Sequence, residues 1–365
     1  MAVIDISRPR SERDGTLDSA IFNGRLGPAG TVYSAIRSAQ SNFQRWLDSS
    51  DHFQFDDRRK HAKTLVCVLI SATPLVWPLV LPRLKAALPE GDVCLVLFGH
   101  RDDFIADLCA REGWSYLATS TSDASLAQNI CFTLHSHAEL IVKIDDDMFV
   151  LKDTISSLIQ QFQIIKADGV VNPGFLAPLI PVNGFSYRHT LDMLGLLDDY
   201  EARFGRAAIG GSGLAIHDNP EAAVWTWKHT GPLEDTFKKF NNLAPRTLFC
   251  PIRYNTGLIV FERTFWEEIG RFPVLRRRMM FGIQTDGADE LHLCATAMTG
   301  SRPAIVTTAT VAGHFAFPKQ VDAMLRLIAE QPELFTLPQP GKPPDQAKLL
   351  SMPTPNGRLY GKHDL

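Results

Sequence analysis

Between Thr64 and Ile144 the sequence changes its hydrophobic period repeatedly. LVCVLI, VCLVLF at 93 to 98 and ELIVKI are short runs that stay apolar on both faces. The segments between them, from Pro78 through LPRLKAAL, then DDFIADLCAREG ending at Gly113, then SLAQNICFTLHSHA, carry apolar residues at helical spacing. A further short strand is expected at Trp114 to Leu117. Strands without polar alternation need cover on both faces, and amphipathic helices between them supply it. The layout therefore predicts an α/β fold, a mainly parallel, Rossmann-like sheet flanked by helices. Ligands of such sheets sit at the carboxyl ends of the strands.

One stretch competes with that reading. TLVCVLISATPLVWPLVLP, residues 64 to 82, carries no charge and approaches membrane-spanning length. Pro74, Pro78 and Pro82 interrupt any continuous helix, so a strand, a loop and a helix starting near Pro78 are expected instead. With 37 basic and 40 acidic residues, a formal charge of −3 gives no whole-chain attraction to nucleic acid or anionic membrane. Peripheral membrane contact stays open. The six cysteines form no CxxC pair and mostly lie in apolar segments, which predicts reduced core thiols. MAVIDISRPRSERDG lacks the layout of a signal peptide, and a cytoplasmic setting is expected.

Residues 1–60 are read as a helical N-terminal extension, because Tyr33, Ile36, Phe43 and Trp46 recur near helical spacing. Residues 61–330 are read as one catalytic domain, with a nucleotide-binding half at 61–150 and an acceptor half at 151–330. In the second half DTISSLIQQFQIIKA and RTFWEEIG predict helices, and GVVNPGFLAP and TGLIVF predict strands. Residues 331–365 hold seven of the 23 prolines and are expected to be an extended tail or lid.

The chemistry concentrates in IVKIDDDMFV, residues 141–150. Three aspartates stand at the expected carboxyl end of a strand, enclosed by apolar residues on both sides. Close carboxylates repel one another, and a bound divalent ion removes that penalty. In extended backbone Asp145 and Asp147 face one way and Asp146 the other. Two carboxylates on one side form a site for Mn2+ or Mg2+ that leaves positions open for phosphate oxygens. An acidic surface turn is the plainer alternative. A haloacid-dehalogenase-type phosphatase would want Thr or Val where Phe149 stands. A nucleotidyltransferase would want a glycine-rich basic loop in place of SATPLVWP. By strand-end position, Ser71, Ala72 and Thr73 after the first strand, and Arg101 with Asp102 after the second, are candidate nucleotide contacts.

KIDDDMFV resembles the DxD motif of GT-A fold glycosyltransferases, in the K-x-DDD-x-FV form of the β1,3-galactosyltransferase-like group. SLAQNICFTLHSHAELIVKIDDD is similar to that group's asparagine-bearing helix, with Asn129 at the matching place. NTGLIVFERTFWEEIGRF, DGADELHL and VAGHFAF resemble the acceptor half of GT-A enzymes: a glycine-led strand, a helix, an acidic pair and a late GH. Two departures stand out. The acidic pair is Asp289 then Glu290 where inverting members usually have Glu then Asp, and QTDGA replaces the preceding WGG.

The resemblance implies a GT-A type sheet with a mixed acceptor-side subregion and a metal-dependent hexosyltransferase. Such an enzyme moves a sugar from a nucleotide-diphosphate donor, a UDP-sugar in the first instance, to a hydroxyl of a glycan, lipid-linked or other glycoconjugate acceptor. It implies Asp147 as principal metal ligand, Asp145 as second ligand or ribose contact, and His314 completing the site. Asn129, Lys143, Asp145 and Asp146 become donor-side residues. Glu290 is the first candidate base, with Asp289 orienting the acceptor. Glu234 and Asp235 in GPLEDTF are an alternative acidic pair. Arg276, Arg277 and Arg278 could close over pyrophosphate or form a solvated loop. Trp225, Trp227, Phe185 and Tyr187 could stack on an acceptor sugar or pack in the core. A nucleotide-sugar hydrolase or nucleotidyltransferase, and a catalytically silent carbohydrate-binding protein, are the competing readings. Nucleic acid is disfavoured as acceptor by the near-neutral charge.

Overall fold

Strand β2 (Thr64–Ile70) is buried along nearly its whole length, and the chain leaves it in one direction and returns in the other. The computed structural model describes residues 52–71, 75–211, 213–274 and 288–337, all within one unit, Asp51–Leu365. After β2 come α1 (Trp77–Ala87), β3 (Asp92–Phe98), α2 (Asp103–Glu112), β4 (Ser115–Thr119), α3 (Ala124–Leu134) and β5 (Leu140–Asp145). β3 pairs with one edge of β2 and β5 with the other, both parallel, and β4 continues the sheet beyond β3. The direction of winding therefore reverses at β2, and the crevice between the ends of β2 and β5 is a ligand position by topology.

Local chemistry sets the helix ends. Asp102 caps α2 by accepting from the Ile105 N–H at 3.0 Å, and Asp123 caps α3 by accepting from Leu126 N at 3.0 Å. Gly113 closes α2 in the left-handed conformation, φ 69°. Pro78 lies in the first turn of α1, where its missing N–H costs nothing. No helix among the described residues is long and apolar enough to cross a membrane.

The second half adds β6 (Met148–Val150), α4 (Thr154–Asp168), β7 (Phe175–Leu179), α5 (Ser186–Met193), α6 (Leu197–Phe204), α7 (Ala215–Asp218), α8 (Pro220–Thr230) and α9 (Leu233–Phe240). It continues with β8 (Thr247–Phe249), β9 (Leu258–Glu262), α10 (Arg263–Glu268), α11 (Ala288–Thr299), β10 (Ala304–His314) and α12 (Val321–Glu330). Here the sheet becomes mixed: β9 runs antiparallel to β5 and β7, and β10 is parallel to β7 but antiparallel to β6 and β8. The expected α/β architecture, parallel first and mixed later, is present.

Two boundaries differ from the sequence reading. A strand, β1 (Phe53–Asp56), lies inside the segment read as a helical extension and pairs antiparallel with the edge strand β4. Residues 1–51 lie outside the described residues. At the other end, Pro332–Leu334 forms a 3-10 turn and Phe335 is fully buried. Arg83 donates to the carbonyls of Phe335 and Thr336, so the start of the Pro-rich segment belongs to the core. Residues 338–365 lie outside the described residues.

Candidate active site

The acidic triplet sits at the reversal point. Asp145 ends β5 opposite Leu69 of β2, and the Asp146 N–H donates to Leu69 O at 3.0 Å. Asp146 and Asp147 form a turn rather than continuing strand, so their divergence comes from the turn and not from the pleat. Each acid has a different partner. Asp146 is 7% exposed, and its Oδ2 accepts from Ser71 N and Ser71 Oγ, both at 2.9 Å, and from Trp77 Nε1 at 2.7 Å. Asp145 pairs with the buried Lys143 ammonium at 2.7 Å, and Lys143 also donates to Thr256 O at 2.9 Å. Asp147 Oδ2 lies 3.3 Å from His314 Nε2.

β10 delivers His314. Its last residues pair with β6, Gly313 opposite Phe149 and His314 opposite Met148, and Phe315 N donates to Asp147 O at 3.0 Å. Gly313 has a structural reason: a Cβ there would stand 2.3 Å from the Trp227 ring. β9 and α11 supply the facing wall. Glu290, at the start of α11, accepts from Thr256 N at 3.0 Å and from Arg253 Nε at 2.5 Å. Asp289 is buried and accepts from Gln128 Nε2 of α3 at 2.7 Å. Both acids also lie at the positive end of the helix dipole.

These residues line one cleft of about 430 Å³. Lys143, the three aspartates, Asp289, Glu290, Thr256 and His314 form its polar side, and Leu75, Val76, Phe98 and Ala124 its apolar side. Burial pushes Asp145 up to about 7, against the pull of Lys143 and with a further push from Asp147. Its carboxylate keeps 32% of its surface open to the cleft, so water moderates that rise. Burial and Asp147 raise Asp146 to about 6. Burial also works against charge on Asp147 and His314, yet their mutual attraction outweighs it, holding Asp147 low and His314 high.

The donor set fits a hard divalent cation. In octahedral coordination at about 2.1 Å, neighbouring ligand atoms lie about 3 Å apart, close to the 3.3 Å between Asp147 Oδ2 and His314 Nε2. Nδ1 of the buried His314 has no partner. Asp145 offers a second carboxylate to the same cleft.

Other expected residues lie elsewhere. Asn129 does not line the cleft: it is fully buried, with Nδ2 donating to Phe272 O and Oδ1 accepting from Trp266 Nε1 and Phe272 N. It clamps α3 to the segment after α10. Asp102 is a helix cap, and Arg101 is exposed outside the cleft lining. Ser71 lines the cleft, whereas Thr73 and Arg276 to Arg278 lie outside the described residues. Glu234 pairs with the buried Arg83 at 2.7 Å, and Asp235 is an exposed partner of Lys238. Trp225, Trp227, Phe185 and Tyr187 are all core. Sequence reasoning missed Thr256, Phe98 and the supporting pair Trp77 and Gln128. Only Thr256, at the head of the NTG strand, carried a local signal.

A second cavity of about 370 Å³ adjoins the first. Glu290 lines both, and Arg253, Asn255, His217 and Gly210 are among the other residues of the second.

No family model matches the sequence, and no curated protein matches it. Among solved structures the chain is similar to GalNAc-T7 with UDP, GalNAc and Mn2+, at 13% identity and TM-score 0.41, over 74% of this chain and 48% of that one. It thus spans about half the length of that protein. It is also similar to the mannosyltransferase PcManGT from Pyrobaculum calidifontis in complex with GDP-Man and Mn2+, at 15% identity and TM-score 0.38, over 87% of this chain and 77% of that one. Both are distant likenesses.

Proposed function

We propose that the protein is a metal-dependent glycosyltransferase of GT-A type. It transfers a sugar from a nucleotide-diphosphate donor, a UDP-sugar in the first instance, to a hydroxyl of a glycan or glycoconjugate, with inversion. The observation that carries this reading is the shared wall. Asp145, Asp147 and His314 open into one cleft with Glu290, and Glu290 also lines a second cavity. Donor and acceptor chemistry can then meet at one carboxylate.

Asp147 and His314 would hold the cation, with Asp145 beside them, and Mn2+ or Mg2+ there would neutralise charge on the departing diphosphate. Lys143 keeps the Asp145 carboxylate in place, and Asp146 fixes Ser71 and Trp77 at the end of β2. The apolar side at Leu75, Val76 and Phe98 suits the flat face of a nucleobase. Glu290 takes the proton of the acceptor hydroxyl as that oxygen attacks the anomeric carbon, and the bond to the diphosphate breaks on the opposite face. For this, Arg253 must release one Glu290 oxygen. Its side chain is 52% exposed, and exposed ion pairs are weak. Asp289, held by Gln128, orients the acceptor.

The test is release of nucleoside diphosphate from a panel of nucleotide sugars with and without Mn2+. Metal-dependent release that Asp147→Asn and Glu290→Gln abolish supports the proposal. Nucleoside monophosphate as product would make the protein a pyrophosphatase instead, and absence of turnover alongside sugar binding would make it a silent binding protein.

A further inference from the structure

A second cluster of ligating side chains lies away from the cleft, in the core between the sheet and α3. Cys67 and Cys94 are register partners in the parallel pair β2 and β3, so their side chains leave the sheet on the same face. Cys131 and His135 stand one helical turn apart, at the carboxyl end of α3, the helix that covers β2 and β3. All four are buried. The topology thus brings three thiols and an imidazole to one point.

We propose that Cys94, Cys131 and His135, with Cys67 beside them, form a closed structural site for a thiophilic cation of the Zn2+ type. One ligand atom from each of Cys94, Cys131 and His135 lies within 4.8 Å of the others. A tetrahedral zinc with Zn–S of about 2.3 Å and Zn–N of about 2.0 Å places such atoms roughly 3.6 to 3.8 Å apart. A contraction of about 1 Å at most therefore brings these atoms to ligand spacing. The Cys131 thiol also contacts the thiols of Cys67 and Cys94, which places Cys67 beside the set.

The histidine gives an independent indication. It is 2% exposed, Nδ1 meets the Cys131 carbonyl oxygen at 2.9 Å, and Nε2 is buried without a partner. Ligating imidazoles commonly donate one N–H to a backbone carbonyl and keep the other nitrogen for the metal. Arg263, which donates to the carbonyls of His135 and Ala138, supplies positive charge close to the thiolates that would form.

Burial holds the thiols of Cys67, Cys94 and Cys131 in the protonated form in the metal-free protein. Binding therefore exchanges cation for protons: Zn2+ enters, the thiol protons of its cysteine ligands go to solvent, and zinc–thiolate bonds replace S–H bonds. Soft sulfur ligands separate this site from the oxygen-rich triplet, which suits Mn2+ or Mg2+. The Phe55 ring of β1 packs edge-on against His135 at 5.8 Å and all four side chains are buried, so loading belongs to folding rather than to exchange in the native state.

The test uses the full chain, produced in zinc-supplemented medium, purified without chelator and analysed for metal by mass spectrometry. The expected result is about one zinc per chain, retained in Asp147→Asn and lost in Cys131→Ser and His135→Gln. Refolding the wild type with Co2+ should give an intense thiolate-to-cobalt absorption and tetrahedral visible bands. That measurement needs no variant, so misfolding of the cysteine substitutions leaves the proposal testable. Metal-free wild type without a cobalt–thiolate band would overturn it and leave a core of reduced thiols. Zinc that stays in both ligand variants would equally overturn it, since the metal would then lie elsewhere.

Discussion

Asp147→Asn separates metal binding from folding. The substitution keeps the shape of the side chain and removes one of three clustered charges. In the wild type Asp147 helps to push Asp145 up to about 7 and Asp146 up to about 6, and against burial it draws His314 above the ordinary imidazole value. Without metal the variant loses the attraction to His314 and gains relief from two like charges. These oppose each other, and the net change in unfolding free energy should stay within about 1 kcal/mol. With metal the balance is one-sided. At a concentration one hundred times its dissociation constant, Mn2+ stabilises the wild type by about 2.7 kcal/mol. That is a rise in Tm of roughly 4 to 5 °C for a domain of this size. A neutral amide in place of the principal ligand should reduce the rise to less than about 2 °C at the same Mn2+ concentration. The assay is thermal unfolding over a Mn2+ titration from pH 5.5 to 8. Protons compete for Asp145 and His314, so the wild-type shift should grow as pH rises through 6 and 7. Equal Mn2+ shifts in wild type and Asp147→Asn would refute the assignment of the site.

Other consequences follow from the same contacts. Asp145 and Asp146 have folded-state pKa values raised above their unfolded ones, so their contribution to stability is complete below about pH 4 and lost as pH rises through 6 and 7. The metal-free Tm should carry that decline, and saturating Mn2+ should flatten it. Asp146→Ala removes the acceptor of the buried Trp77 indole N–H and the bonds from Ser71, at a cost of about 2 to 4 kcal/mol in urea unfolding. Glu290→Gln should keep the Mn2+ shift while sugar transfer falls by about two to four orders of magnitude. Gly313→Ala forces a methyl group against the Trp227 ring and should cost about 1 to 3 kcal/mol, read by urea midpoint. Glu234→Ala leaves the Arg83 guanidinium, whose side chain is fully buried, without its ion partner, and about 3 to 5 kcal/mol of stability should go with it. Because neither residue lines the cleft, the Mn2+ shift should survive.

The first half of the fold was legible because each strand there is a local event. LVCVLI, VCLVLF and ELIVKI are bounded by helices whose caps are written in the sequence, Asp102, Asp123 and Gly113 among them. The acidic triplet was legible because charge between apolar runs needs a partner. What escaped was non-local. β6 is three residues long and exists through pairing with β10, and β10 is rich in threonine and alanine, with little to mark it before its partners are known. Asn129 shows the limit of matching a residue to a motif. A buried amide on a helix has the same sequence appearance whether it meets a ligand or, as here, the backbone at Phe272. Glu234 is similar, an acid with a plausible neighbourhood in sequence that Arg83 claims in space.

The pairing of β6 with β10 has a consequence for synthesis. The acidic residues leave the ribosome long before His314, and the backbone bond from Phe315 that steadies Asp147 cannot form until β10 is in place. A nascent chain or a fragment cut before β10 would carry the complete triplet and still have only half of the proposed cation site. Under the function proposed above, donor chemistry would be tied to completion of β10, and a partly made chain would lack the means to spend activated sugar on water.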